Sequence, residues 1–303
     1  MSSSNSRNPY VVIVLLNWNN YEDTSACLKT LAEVEYSNFD VVVVDNGSDD
    51  GSGKYIEKKF PWCEVIFNDR NEGFARGNNI GIEYAQGEDA DYILLLNNDT
   101  EVNSDFLSPM VEAAENNDRV GIVSGVIYDN NGDIWYAGGG YNRTFQRGKI
   151  YRSPQDSDPY ETDWAYGAMM LMAAEFVEDN DIIPDEYFFG VEDADICWQA
   201  RENGWKIIVA PDSKILHKVG SSTMEETTRT PFRVYHERWG ELHLSKKYQN
   251  RLEQIAYLSF WLLTRFIAYP KWVKRGDLKW VHADIAAFRD WVTNSHPRES
   301  MIG

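Results

Sequence analysis

No glycine stands in the turn that follows the first apolar run of this 303-residue chain, Asn17-Trp18-Asn19-Asn20-Tyr21-Glu22-Asp23. The G-x-G-x-x-G of dinucleotide-binding enzymes is therefore missing, and no G-x-x-x-x-G-K-[ST] occurs elsewhere, which excludes a P-loop ATPase. A nucleotidyltransferase, which calls for a glycine-rich, basic loop after that strand, is disfavoured on the same ground. Positive charge is scarce: 29 Lys and Arg face 48 Asp and Glu, a formal net charge of −19. Such a surface repels phosphate backbones, so no nucleic-acid partner is expected. The acidity fits a high-salt cytoplasm or plain solubility equally well. There are three cysteines, Cys27, Cys63 and Cys197, without metal-ligand spacing; they read as reduced, mostly buried thiols. Long hydrophobic runs are missing too. The amino terminus MSSSNSRNP reads as a flexible lead (1–9) and not as a signal peptide. The apolar stretch 255–269 is interrupted by Arg265 and is shorter than the ~20 residues that cross a bilayer. These features point to a cytoplasmic protein.

What the chain has in quantity is β-branched and aliphatic runs alternating with helical stretches. Residues 10–18, 40–45, 64–69 and 91–99 read as strands, with helices over 20–34, 52–59 and 73–85 between them. That alternation predicts an α/β fold with a parallel sheet built from βαβ units. A helix near 104–117 and a strand over 119–129 follow, then glycine- and aromatic-rich hairpins. In the apolar segment 163–176, Met169, Met170 and Met172 read as core filler. The helix expected over 191–205 puts Asp193 on the inward face with Cys197 and Ala200, and Asp195 with Gln199 and Glu202 facing water. Asp193 is then either an ordinary N-cap or an acid aimed into a cleft. From about 231 the chain reads as helical throughout. Between Lys246 and Lys279 eight basic residues face only Glu253 and Asp277. Basic flanks, an apolar centre and tryptophan edges suit peripheral membrane contact through 246–279. A helical layer packed on the main domain or on a second subunit is the other reading.

Polar residues collect where the parallel strands should end. The first strand delivers Asn17, the second Asp45 with DNGSDDGS, the third NDRNEG and the fourth Asn97-Asn98-Asp99. Open α/β sheets bind ligands at that edge. Carboxylates beside a diphosphate repel it unless a divalent cation lies between, so Asp99 reads as a ligand for Mg²⁺ or Mn²⁺.

The segments VLLNWNN, VVDNGSDDGS, NEGFARGNNIG, LLLNNDT, GAMML and FFGVEDADICWQARENGW stand in one order from about residue 10 to 225. The series resembles the inverting nucleotide-sugar glycosyltransferases of family 2, their rhamnosyltransferase-like branch above all. The resemblance implies the GT-A fold: a Rossmann-like, mostly parallel sheet over 10–230, with a nucleotide-binding half (10–100) and an acceptor-binding half (101–230). The helical region 231–303 follows it. It also implies transfer of a sugar from a nucleotide-diphosphate donor to a hydroxyl of a glycan or lipid-linked acceptor, at the inner face of the cell membrane.

Matched positions inherit roles from this resemblance. Asn17 and Asp45 would hold the base and ribose, and Asn71, Gly73, Arg76 and Asn78 would complete that pocket, Arg76 facing the phosphates. Asn98 and Asp99 would continue the donor site, Asp99 matching the last aspartate of the Asp-x-Asp motif, whose first position is here Asn97. His217 resembles a further ligand for the divalent cation, with a purely structural histidine as the alternative. Asp193 matches the catalytic base, with Glu192 beside it to raise its pKa. Trp164, Tyr166 and Gly167 are acceptor-side residues or else core packing. A catalytically inactive domain that binds glycans or protein partners is the reading that Asn97 keeps open.

Overall fold

The computed structural model describes residues 8–180, 183–218 and 230–295. Most of the amino-terminal lead, the stretch just after His217 and the last eight residues of the helical region lie outside the described residues. The first hundred residues fold in the expected alternation: β1 (Val11–Asn17), α1 (Tyr21–Leu31), β2 (Phe39–Asp45), α2 (Ser52–Lys59), β3 (Glu64–Phe67), α3 (Gly73–Gly87) and β4 (Tyr92–Asn97). Strands β3, β2, β1 and β4 lie side by side in that order, all parallel. Their carboxyl ends therefore share one edge, with Asn17 opposite Asp45 and Leu16 opposite Asn97. Val11 to Leu15 are fully buried because apolar layers cover both faces of the sheet.

The glycines of NEGFARGNNIG set how closely α3 rides on that sheet. A Cβ on Gly77 would stand 2.5 Å from Leu16 Cδ1, and one on Gly81 only 2.2 Å from Val14 Cγ1. Any larger residue would push the helix off β1.

The chain continues through β5 (Thr100–Val102), α4 (Leu107–Glu115), β6 (Val120–Tyr128), β7 (Ile134–Tyr136), β8 (Gly139–Asn142), β9 (Arg147–Ile150), β10 (Tyr160–Glu161), β11 (Met169–Ala173), α5 (Ala174–Glu178), α6 (Glu192–Glu202) and β12 (Lys206–His217). β11 inserts antiparallel between β4 and β6, so the second half of the chain extends the first half's sheet. Met169, Met170 and Met172 are buried in it. β12 runs parallel to β6 and then pairs antiparallel with β5, setting His217 opposite Thr100 beside the end of β4.

Three helices close the described chain: α7 (Pro231–Tyr248), α8 (Arg251–Arg275) and α9 (Leu278–Thr293). They correct one expectation. Asp195 does not meet water; it is fully buried. Lys247 Nζ (3.0 Å) and the Tyr248 hydroxyl (2.5 Å) from α7, the Tyr187 hydroxyl (2.9 Å) and Gln199 (3.0 Å) all converge on its carboxylate. The second face of α6 is covered by α7, which a helical wheel of α6 alone does not reveal. The helical layer has a charged centre of its own. Fully buried Asp284 accepts from Arg238 Nε (2.8 Å) and the Tyr269 hydroxyl (2.8 Å) and pairs with Arg265 Nε at 2.6 Å. Among the described residues no helix is long and apolar enough to cross a membrane.

Candidate active site

At the shared strand edge, side chains from four elements form one hydrogen-bonded chain. Asn98 Nδ2 donates to Thr24 Oγ1 (2.8 Å), which lies 2.8 Å from Asn17 Oδ1, and Asn17 Nδ2 donates to Asp45 Oδ1 (2.7 Å). Ser48 Oγ also donates to Asp45 (2.6 Å), and Asn17 reaches Ser52 Oγ (2.9 Å). Asn17 is wholly buried, so its amide orients Asp45. A Cβ on Gly53 would stand 2.5 Å from Asp45 Cγ, so the start of α2 closes over that carboxylate.

Asn71 and Gly73 shape the neighbouring turn. Asn71 Oδ1 accepts from Gly73 N (2.8 Å) and from Asn46 Nδ2 (3.0 Å), and Gly73 sits at φ +84°, where a side chain would be strained. Two expected donor contacts are placed elsewhere. Arg76 is engaged by Glu83 (3.2 Å) and Asp185 (3.6 Å). Asn78 turns its amide back to Phe74 O (2.9 Å), inside its own helix. Thr24 and Trp18 escaped sequence reasoning. Thr24 links Asn17 to Asn98 from the second turn of α1. Trp18, beside Asn17, is half exposed at the end of β1, and a bare indole at a ligand edge was the available signal.

The end of β4 holds a buried acid–imidazole pair. Asp99 Oδ1 lies 3.1 Å from His217 Nε2, and both residues are nearly sealed. Asn97 Nδ2 stands 3.5 Å from the same nitrogen, and the ring lies edge-on to Trp135 at 5.9 Å. His217 Nδ1 is buried without a hydrogen-bond partner. Among the described residues no three His, Cys, Asp or Glu side chains converge as a closed cage. Two donors nonetheless fit a cation whose coordination substrate phosphates complete, the usual manner for Mg²⁺.

One loop joins this pair to the acids of α6. Ala168 O accepts from Asn97 N (3.0 Å), and Tyr166 lies 6.4 Å from the His217 ring and 5.7 Å from Trp164. A Cβ on Gly167 would meet Asp193 Cβ at 3.5 Å. The Trp164 indole stands close enough to favour an ionised Asp193, without forming a well-aligned hydrogen bond. The Asp193 carboxyl is raised above the usual range, chiefly by burial, while the backbone at Ala194 and Gly167 pulls it partly back. Glu192 is raised further, by burial first and by the Asp193 charge second, and its Oε2 has no hydrogen-bond partner. Burial, more than the neighbouring carboxylate, is thus what lifts Asp193. The turn before them is unusual: Gly190 and Val191 both have positive φ (76° and 75°), a region a β-branched residue rarely enters.

A model of "Glycosyl transferase family 2" matches residues 11–179. The dTDP-rhamnosyl transferase RfbF of Shigella flexneri is 25% identical over 221 residues, which cover 72% of this chain and 71% of that protein. Glycosyltransferase AglE of Haloferax volcanii is 24% identical over 280 residues, 89% and 86% of the two chains. An N-acetylglucosaminyl-diphospho-decaprenol L-rhamnosyltransferase of Mycobacterium tuberculosis is 22% identical over 209 residues, 60% and 67%. Among solved structures, S. aureus TarS 1-349 superposes with a TM-score of 0.60 at 17% identity over 96% of this chain and 82% of that one. GalNAc-T7, crystallised with UDP, GalNAc and Mn²⁺, gives 0.57 at 19% identity over 69% of this chain, which spans 43% of that structure. These likenesses show the GT-A glycosyltransferase fold. With a family match over more than half its length, on the sheet whose strand ends carry Asp45 and Asp99, the chain belongs to glycosyltransferase family 2.

Proposed function

We propose that the protein moves a hexose or deoxyhexose from a nucleotide-diphosphate donor to a hydroxyl of a glycan or lipid-linked saccharide, with inversion in a single displacement. One observation carries this reading: loop 164–168 touches both the end of β4, with Asp99 and His217, and Asp193 at the start of α6. On this reading leaving group and base stand on either side of that loop. Asp45, held by Asn17 and Ser48, accepts from the base or ribose of the donor. Asp99 and His217 would hold a divalent cation, Mn²⁺ or Mg²⁺, which would supply positive charge to the departing diphosphate. Asp193 takes the proton of the attacking hydroxyl. The raised carboxyl suits that task, since a base titrating nearer neutrality accepts a proton more readily. Trp164 and Tyr166 offer aromatic faces to the acceptor sugar, and Gly167 leaves it room beside Asp193.

The names of the relatives support a deoxyhexose donor and a lipid-linked acceptor. On this reading residues 10–230 form the catalytic unit and 231–303 an attached layer. The protein works from the cytoplasm at the membrane's inner face, with peripheral contact through 246–279. Asn97, where a second carboxylate is usual, favours a rival reading as an inactive domain that binds glycans or protein partners.

Thermal unfolding with UDP, dTDP and GDP and their sugars, with and without Mn²⁺ or Mg²⁺, separates the two. A ligand at 100 times its dissociation constant stabilises the native state by about 2.7 kcal/mol. One diphosphate should raise the melting temperature, more strongly with metal, and Asp99→Ala should remove the metal-dependent part. No shift with any nucleotide would leave the inactive-domain account standing.

A further inference from the structure

Helix α8 is turned inside out. Leu252, Ile255, Leu262, Leu263, Phe266 and Ile267 are each more than half exposed, and Val273 extends the row. At 100° per residue they fall within a sector of about 140° along six turns. The inward face carries the polar groups: Arg265 paired with Asp284, Tyr257 bonded to Glu241, and Gln254 bonded to the end of α7. Trp261, stacked on Phe288, packs there too. A continuous apolar face of this length on a soluble surface marks an interaction site.

The charges around that face say what covers it. Of the eight basic residues between 246 and 279, three are engaged elsewhere: Lys246 with Asn294, Lys247 with Asp195, and Arg265 with Asp284. Lys271, Lys274, Arg275 and Lys279 are exposed within nine residues of one another at the carboxyl end of the row. The one acid on the first turn of α8, Glu253, caps its own helix through Asn250 and pairs with Arg143. A second copy packed through the same face would bring only Glu253 and Asp277, and no acidic row, to meet the basic cluster. An anionic lipid surface supplies both an apolar interior and the counter-charge.

We propose that α8 lies in the interface of an anionic bilayer, with Leu252 to Val273 immersed and Lys271, Lys274, Arg275 and Lys279 on the phosphate headgroups. The helix is also coupled to the acceptor side of the site. Phe260 packs on Phe145 at 5.0 Å and lies under Arg147 at 5.6 Å, both on the β8–β9 hairpin. That hairpin in turn presses Gly139 against Trp164, next to Asp193. Resting on the transferase reading, this sets the lipid-bound helix against the hairpin that backs the acceptor side, and makes a membrane-borne, lipid-linked saccharide the substrate class.

The test is co-sedimentation of the full chain with vesicles of phosphatidylcholine alone or with phosphatidylglycerol added, without any nucleotide. Binding should require the anionic lipid and weaken with salt. Lys271→Gln, Lys274→Gln, Arg275→Gln and Lys279→Gln combined should weaken it by at least ~100-fold, at about fivefold per charge. Leu263→Glu with Phe266→Glu should abolish it at an unchanged melting temperature. No binding to anionic vesicles would overturn the proposal. So would a dimer in free solution that Phe266→Glu dissociates, since the face would then belong to a second copy. The nucleotide-induced thermal shift is read separately on the parent chain, so failure of that chain to bind anionic vesicles with the shift intact sinks the lipid proposal and spares the transferase.

Discussion

Burying Glu192 beside Asp193 costs stability, and the sign of that cost can be measured. Its carboxyl is raised by burial and by the Asp193 charge, so the fold favours the protonated form. A group raised in this way contributes its full stability below its unfolded value, about 4.3, and loses it as pH climbs through the raised one. Glu192→Gln keeps the shape without the charge. It should melt higher than the parent at pH 9, with the difference vanishing near pH 4; equal melting at both would show that Glu192 is not held protonated. Asp193, also raised, should place the acid limb of sugar transfer well above the ~3.9 of a solvated aspartate. Asp193→Asn should lower turnover ~10²–10⁴-fold while the nucleotide-induced thermal shift survives. At this scale the sequence was readable for where a residue lies: Asp45 at the end of β2 and Asp99 just past β4 stand on the strand edge their runs predict. It was not readable for Arg76, because the acids that capture that guanidinium, Glu83 and Asp185, lie one on its own helix and one about a hundred residues away.

Between elements, the helical layer acts as a brace for the acids of α6. Lys247 and Tyr248 of α7 grip Asp195, and Gly240 of α7 leaves just enough room for Val191, since a Cβ there would stand 3.0 Å from Val191 Cβ. The strained turn that aims Glu192 and Asp193 is thereby held from outside. The brace depends on Asp284, which joins α9 to Arg238 of α7 and Arg265 of α8. Asp284→Ala leaves Arg265 in a buried layer without its acid and Arg238 with Glu241 alone, a change that costs ~3–5 kcal/mol. Urea unfolding should show the midpoint fall accordingly; an unchanged midpoint would mean the layer does not rest on this contact. The βαβ half was legible because β-branched runs and helices alternate on a short period. β12 was harder to read. Ala210-Pro211-Asp212-Ser213 interrupt its alternation, and its register shifts between Val209 and Lys214, so only pairing with β6 and β5 makes it a strand. The burial of Asp195 was equally hidden, since it depends on a helix that begins more than thirty residues later.

Over the whole molecule, 48 acids against 29 bases make self-repulsion a global term that no single contact reveals. Among the described residues many ion pairs are solvent-exposed, such as Arg70–Glu72 and Lys206–Glu161, and pairs of that kind contribute little to stability. Added salt weakens those pairs slightly but screens the surplus of negative charge everywhere, as the Debye length falls from about 10 Å at 0.1 M to about 3 Å at 1 M. The buried Asp284 and Asp195 clusters are shielded from solvent and screened much less. Repulsion should therefore dominate, and the melting temperature should rise as KCl goes from 0.05 to 1 M. Chloride suits this measurement because sulfate would strengthen apolar burial whatever the charge. Vesicle binding through α8 should move the opposite way, since the same ions screen the basic cluster from anionic lipid. Opposite slopes in the two titrations would separate the acidic body from its basic edge. A melting temperature that falls with KCl would mean instead that the ion pairs outweigh the repulsion and that the acidity does not adapt the fold to salt.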